Sequence, residues 1–186
     1  MRIGITCYPS HGGSGVVATE LGKHLAARGH EVAFISYSAP LRLSQLPPRV
    51  TLHTVDAFDY PLLKNFPYTL ALASKMAMVA REQGLQVLHV HYAIPFTAAA
   101  TLACQMAPEL DLKVVTTLHG TDVTLVGNTP TFKPVMTLAL QQSHAVTAVS
   151  RFLRDEAYRA FGQQCEIEVI YNFVDPQRHQ YAAPAC

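Results

Sequence analysis

The chain opens "MRIGITCYPSHGGSGVVATELGKHLAARGHEV", an apolar run, a glycine cluster and a helical pattern in direct succession. Residues 2–7 read as a buried strand, and 14–28 as a helix closed by Gly29. Gly12, Gly13, Ser14 and Gly15 lie between them. A strand that feeds through glycines into a helix start makes an anion site. The first helical N–H groups have no intrahelical acceptor, the helix dipole favours negative charge there, and residues without a Cβ let a phosphate approach the backbone. This opening predicts a binder of a phosphate-bearing ligand.

The alternation continues. Strands are predicted over 2–7, 31–36, 50–55, 87–91, 113–118, 145–148 and 167–170, and helices over 14–28, 69–83, 95–106, 131–142 and 151–161. In the second helix Leu72, Met76, Val79 and Ala80 share one face, as packing on a sheet requires. Strands alternating with amphipathic helices predict an α/β fold: a Rossmann-like, doubly wound, mostly parallel sheet with helices on both faces. The segment 38–67 holds Pro40, Pro47, Pro48, Pro61 and Pro67 and is expected to run over the top of the sheet with one short strand. Residues 1–175 form one domain in this reading, and 176–186 a tail.

With 186 residues, 49% apolar and 15% charged, the chain has enough material for one full core. A net charge of +1 without a basic block argues against nucleic acid as a partner. Cys7, Cys104, Cys165 and Cys186 form no CxxC pair, so neither a zinc site nor a disulfide framework is expected. The apolar tract "LALASKMAMVA" is broken by Lys75 and is too short to cross a bilayer. A soluble, cytoplasmic protein with no membrane insertion is the expectation. Whether it assembles with copies of itself is left open.

In a doubly wound sheet, ligands sit outside the carboxyl ends of the strands. Five predicted strand ends carry polar groups there: "GGSG", "HVHYAIP" with His91 and Tyr92, "TTLHGTD" with Thr117, His119, Gly120 and Asp122, "AVS" with Ser150, and "YNFVD" with Asn172. His89 and His91 could share a face and bind a metal, yet no Cys, Asp or Glu completes a ligand set. His89 reads as a buried or hydrogen-bonded strand residue, and His91 stays open. For His119, the following Gly120 permits an unusual backbone and Asp122 could orient the ring. Ser150 reads as a helix cap, and Lys75 and Arg42 as solvated. Gly13-x-Gly15-x-x-Ala18 fits a dinucleotide fingerprint, but the second strand ends "FISYSAP" without the acidic residue that would hold a ribose. Arg42 leaves only a weak case for a phosphorylated cofactor.

Together, "IGITCYPSHGGSGVVATELGKHLAARGHEV", "YTLALASKMA", "HVHYAIP", "VVTTLHGTDVTLVG", "VTAVS" and "IYNFVD" resemble the N-terminal half of the retaining, family-4-like GT-B glycosyltransferases that make GlcNAc-malate at the first step of bacillithiol synthesis. The resemblance runs from about Arg2 to Asp175. It implies an acceptor-side Rossmann-like domain, with a C-terminal domain, absent here, holding most of the UDP-GlcNAc. It also implies transfer of GlcNAc to the hydroxyl of L-malate, with retention and with no metal or other cofactor.

Carried over by position, Gly13, Ser14 and Gly15 would meet the donor diphosphate, and Ser14, Tyr92, Thr117 and Asn172 would line the malate pocket. His119 and Asp122 form the catalytic group, His119 against the donor sugar and Asp122 supporting its turn. The chain alone is expected to fold without turning over. A related transferase with a sugar or lipid acceptor, or a non-catalytic binding or assembly module, are the alternatives.

Overall fold

The computed structural model describes residues 1–9, 12–43, 45–56 and 66–174. In chain order the elements are β1 (Arg2–Thr6), α1 (Gly13–Ala27), β2 (Glu31–Ser36), β3 (Val50–Thr54), α2 (Tyr68–Gln83), β4 (Val87–His91), α3 (Ala93–Met106) and β5 (Lys113–Leu118). A π-helical turn (Asp122–Val126) follows, then α4 (Lys133–Gln142), β6 (Ala145–Ala148), α5 (Arg151–Phe161) and β7 (Ile167–Val169). The strands form one sheet in the order β3-β2-β1-β4-β5-β6-β7, and every neighbouring pair is parallel. Successive strands run outward from β1 to one edge, and the chain then returns to β1's other side. The fold is thus doubly wound, as predicted, and its switch point lies between β1 and β4, where ligands bind in such sheets.

The two sheet faces explain the helical patterns. Leu72, Met76, Val79 and Ala80 are all buried on α2 and pack with α3 against Ile35, Leu88, Val90 and Val114. Each fully buried large apolar side chain here stabilises the fold by roughly 1.5–3 kcal/mol. On the opposite face α1 covers Ile3, Ile5, Val32 and Phe34 through its small residue Ala18. A third apolar cluster joins Met136 and Leu140 of α4 to Leu153 and Ala157 of α5 and Val146 of β6.

Differences from the predicted boundaries are small and have local causes. β1, β3 and β7 end one residue sooner, where their pairing stops at Thr6, Thr54 and Val169. α4 begins at Lys133 rather than 131, because Thr129 accepts from the N–H of Phe132 in a preceding turn and Pro134 sets the helix start. In α3, Ile94 is extended (φ −111°, ψ 124°), so the regular helix starts at Pro95. The π-helical turn was not predicted. The proline-rich segment supplies the edge strand β3. Its residues 44 and 57–65, Pro61 included, and the tail 176–186 lie outside the described residues.

Candidate active site

The first wall of the site is the start of α1. Gly12 takes the capping position in an extended conformation (φ −71°, ψ 158°), no side chain among the described residues caps the helix, and its first turn has no acidic residue. The amides of Gly13, Ser14 and Gly15 therefore open the helix without a capping side chain, which is the arrangement that suits an anion. A Cβ on Gly13 would meet nothing within 4 Å. The fold leaves room at this position instead of filling it.

Across the switch point, β4 ends at His91 and Tyr92. Tyr92 adopts φ 90°, a left-handed backbone that non-glycine residues rarely hold. Its hydroxyl shares a 2.6 Å hydrogen bond with Thr121, and its ring meets Tyr8 edge-on at 5.2 Å. Strands in a sheet lie about 4.8 Å apart, so the ends of β1 and β5, which flank β4, stand roughly 10 Å from one another. A diphosphate sugar can span that distance.

Asp122 organises the third wall. Its buried carboxylate accepts the backbone N–H groups of Gly120 (2.8 Å), Ala93 (3.1 Å) and His119 (3.2 Å). Burial pushes its pKa up, against these hydrogen bonds, which favour the charged form. Gly120 permits this wrap because it sits at φ 142°, outside the range L side chains prefer. The π-helical turn follows from the same residue: the N–H of Gly127 reaches back five positions to the Asp122 carbonyl at 3.0 Å. A Cβ on Gly127 would collide with that oxygen. Such turns recur at functional sites.

The expectation that Asp122 orients the His119 ring is corrected here. The carboxylate holds the backbone of His119, and the ring meets His91 instead: His91 Nδ1 and His119 Nε2 are 3.0 Å apart. His91 is 1% exposed, and its Nε2 is buried with no hydrogen-bond partner among the described residues. His89 stacks on His91 at 4.4 Å and bonds to the Thr117 hydroxyl at 2.8 Å, matching its reading as a hydrogen-bonded strand residue. Burial lowers all three imidazoles, His89 and His119 to about 4 and His91 well below its usual value. All three are neutral near pH 7.

Thr117 and Asn172, both placed in the malate pocket by the resemblance, line one groove of about 400 Å³ with His89, His91 and Thr147. Thr117 is buried and shares a 2.8 Å hydrogen bond with Thr147, while Asn172 is exposed. Tyr92 and Ser14 do not line this groove. Larger clefts, about 480 Å³ beside Met1 and Gly84 and about 760 Å³ beside Arg42 and Pro47, touch no strand carboxyl end. The smaller one reaches the strand carboxyl ends at His91, Thr117 and Thr147, and most of the rest of its wall, with Val17, Leu21 and Leu25, is apolar.

Arg42 lies 3.7 Å from Glu20, an ion pair rather than a free cation. Ser150 Oγ accepts the N–H of Leu153 at 3.1 Å, so Ser150 is a cap. Among the described residues, no three His, Cys, Asp or Glu side chains are placed to hold a metal ion, and no helix is long and apolar enough to cross a membrane.

Sequence reasoning missed the His91–His119 contact and the roles of Tyr8 and Thr121. The alternations His89-x-His91 and Thr117-x-His119 on adjacent strands were a usable signal for the first. Nothing in the sequence announced the other two.

The family model for glycosyltransferase family 4 matches residues 11–178. The chain belongs to glycosyltransferase family 4. It is 50% identical over 175 residues to N-acetyl-alpha-D-glucosaminyl L-malate synthase of Bacillus anthracis, covering 94% of this chain and 46% of that protein. A glycosyltransferase from Rickettsia africae ESF-5 superposes with a TM-score of 0.68 at 20% identity, over 91% of this chain and 42% of that one. The lipopolysaccharide outer core galactosyltransferase WaaB, in its apo form, gives a TM-score of 0.60 at 12% identity, over 94% and 46% of the two chains. These two likenesses establish the shared GT-B-like Rossmann fold. This family 4 chain spans less than half the length of the curated relative it matches.

Proposed function

We propose that this chain is the N-terminal, acceptor-side domain of a retaining glycosyltransferase that moves GlcNAc from UDP-GlcNAc to the hydroxyl of L-malate. The observation that carries the reading is the 50% identity, over nearly the whole chain, to a protein of that name. The geometry supports it. The uncapped start of α1 offers the Gly13, Ser14 and Gly15 amides to a diphosphate, and His119 follows β5, two strands away at the same end of the sheet.

In this reading the bond from the anomeric carbon to the UDP oxygen breaks while the malate oxygen bonds the same carbon from the same face. The malate proton passes to a phosphate oxygen of the departing UDP. The diphosphate gathers negative charge as it leaves, so fixed N–H dipoles aimed at it lower the barrier without reorganising. His119, neutral near pH 7, lies against the donor sugar, and Asp122 holds the turn that places it. Thr117 and Asn172 in the groove, with Tyr92 and Ser14 at the rim, serve the acceptor. The residues assigned to the rim include no lysine or arginine, so amides and hydroxyls meet part of malate's charge. No metal or other cofactor takes part, and the protein works in the cytoplasm.

The deciding experiment assays the full-length enzyme with UDP-GlcNAc against L-malate and a panel of sugars. GlcNAc-malate as the dominant product supports the proposal, and preference for a sugar acceptor sinks it. The 186-residue chain alone should bind but not turn over, because the resemblance puts most of the donor contacts in the other half. GlcNAc-malate formed by the purified chain would contradict that.

A further inference from the structure

We propose that His91 is a positioning residue that fixes which ring nitrogen His119 offers to a ligand, leaving His119 with an Nδ1–H donor. The contact between His91 Nδ1 and His119 Nε2 is 3.0 Å, so one proton lies between two nitrogens and the neutral pair has two arrangements. In one, His119 donates from Nε2, and His91 must then carry its proton on its own Nε2. That nitrogen is buried without a partner, so the arrangement leaves a buried N–H with no acceptor. In the other, His91 donates from Nδ1, and only a bare lone pair is left at its Nε2. Orphaned buried N–H groups are rarer in folded proteins than under-satisfied acceptors. The second arrangement is therefore favoured.

Its consequence falls on the other ring nitrogen of His119. With Nε2 occupied as an acceptor, His119 carries its single proton on Nδ1, the nitrogen not engaged by His91. The ring becomes a neutral hydrogen-bond donor suited to an oxygen of a sugar or a phosphate. The surroundings keep both rings uncharged. His89 packs on His91 at 4.4 Å, and the one carboxylate shown touching His119, that of Asp122, reaches only its backbone N–H. The ligand chemistry assigned to His119 rests on the function proposed above. The tautomer does not.

Long-range proton–nitrogen correlation spectra of the 186-residue chain, labelled with ¹⁵N-histidine and held near pH 7.5, read the tautomers directly. Both His91 and His119 should appear as Nδ1–H forms. In His91→Leu, His119 should revert to the Nε2–H form that free imidazole favours. His91→Asn, which keeps an N–H donor near the lost Nδ1, should restore the Nδ1–H form. An Nε2–H signal for His119 in the unmodified chain, or an unchanged His119 tautomer in His91→Leu, would overturn the proposal. If the leucine variant does not fold, the unmodified and asparagine spectra still decide. None of these readouts depends on GlcNAc transfer, so failure here is separable from failure of the functional reading.

Discussion

The Asp122 carboxylate accepts the backbone N–H of Ala93 at 3.1 Å, joining the start of α3 to the loop after β5 across 29 residues. The same group holds His119 and Gly120, so three buried or half-buried amides depend on it. Replacing Asp122 with alanine leaves all three without an acceptor and should cost about 3 kcal/mol. Asp122→Asn, which keeps one accepting oxygen, should cost about half as much. Urea denaturation of the chain measures both, and a loss below about 1 kcal/mol for the alanine variant would contradict the clamp described here.

Gly13 offers a test in which stability and binding move in opposite directions. The position is exposed, has no positive φ, and a Cβ placed there would have no atom within 4 Å, so Gly13→Asp fits without strain. A carboxylate in the first turn interacts well with the helix dipole and should stabilise the chain by about 0.5 kcal/mol. It would also occupy the anion site, and the full-length enzyme should lose at least about tenfold in affinity for UDP-GlcNAc. A more stable variant with undiminished donor binding would remove α1 from the diphosphate site.

Ser150→Ala is the matching control. The hydroxyl caps α5 by accepting from Leu153, and its removal should cost about 1 kcal/mol. GlcNAc transfer by the full-length enzyme should stay within twofold. A much larger fall in activity at unchanged stability would give Ser150 a part in the chemistry.

The buried histidines make the fold sensitive to acid. In the folded chain His89 and His119 titrate at about 4, below the 6.5 of the exposed group, because burial penalises their charged forms. The unfolded chain therefore binds more protons between these values, and stability rises with pH across that window. The contribution is complete above about 6.5 and is lost as pH falls toward 4. Asp122 acts with the opposite sign, since its folded pKa lies above 3.8, and it blunts the loss at the acid end. Unfolding free energy from urea titrations should fall by roughly 5 kcal/mol between pH 7.5 and 4.5, less what Asp122 offsets. A flat or rising profile would mean that these rings are not held neutral.

The sheet was legible because parallel strands buried on both faces read as apolar runs, and α2 showed its buried stripe as plain periodicity. The glycine-led start of α1 was legible as a strand–turn–helix junction, and Gly13 there fills no space. The loop after β5 resisted. "HGTDVTLVG" carries no period that distinguishes a π-helical turn, which exists because the Asp122 side chain and carbonyl satisfy amides from two other segments. Of these partners Ala93 is 29 residues away, and the nearby ones are backbone amides that leave no mark on side-chain pattern, so the sequence around Asp122 suggested a ring partner where the fold supplies a backbone one. His91 stayed undecided for a related reason. A histidine inside an apolar strand looks the same whether its nitrogens are satisfied or orphaned, and only the neighbouring strand's His119 tells them apart.

Seven strands running one way also divide the labour between the sheet's two ends. At the amino ends the polar groups pair locally: the Arg2 N–H donates to Gln86, the Met1 ammonium to His30, and Lys113 to Asp111. Arg2, Gln86, Lys113 and Asp111 do not line the groove that holds Thr117 and Asn172, whereas Met1 lies at its far end. At the opposite end the Asp122 clamp and the Ser150 cap belong to the frame as well, so substitutions at the exposed tips between them are the ones the fold can absorb.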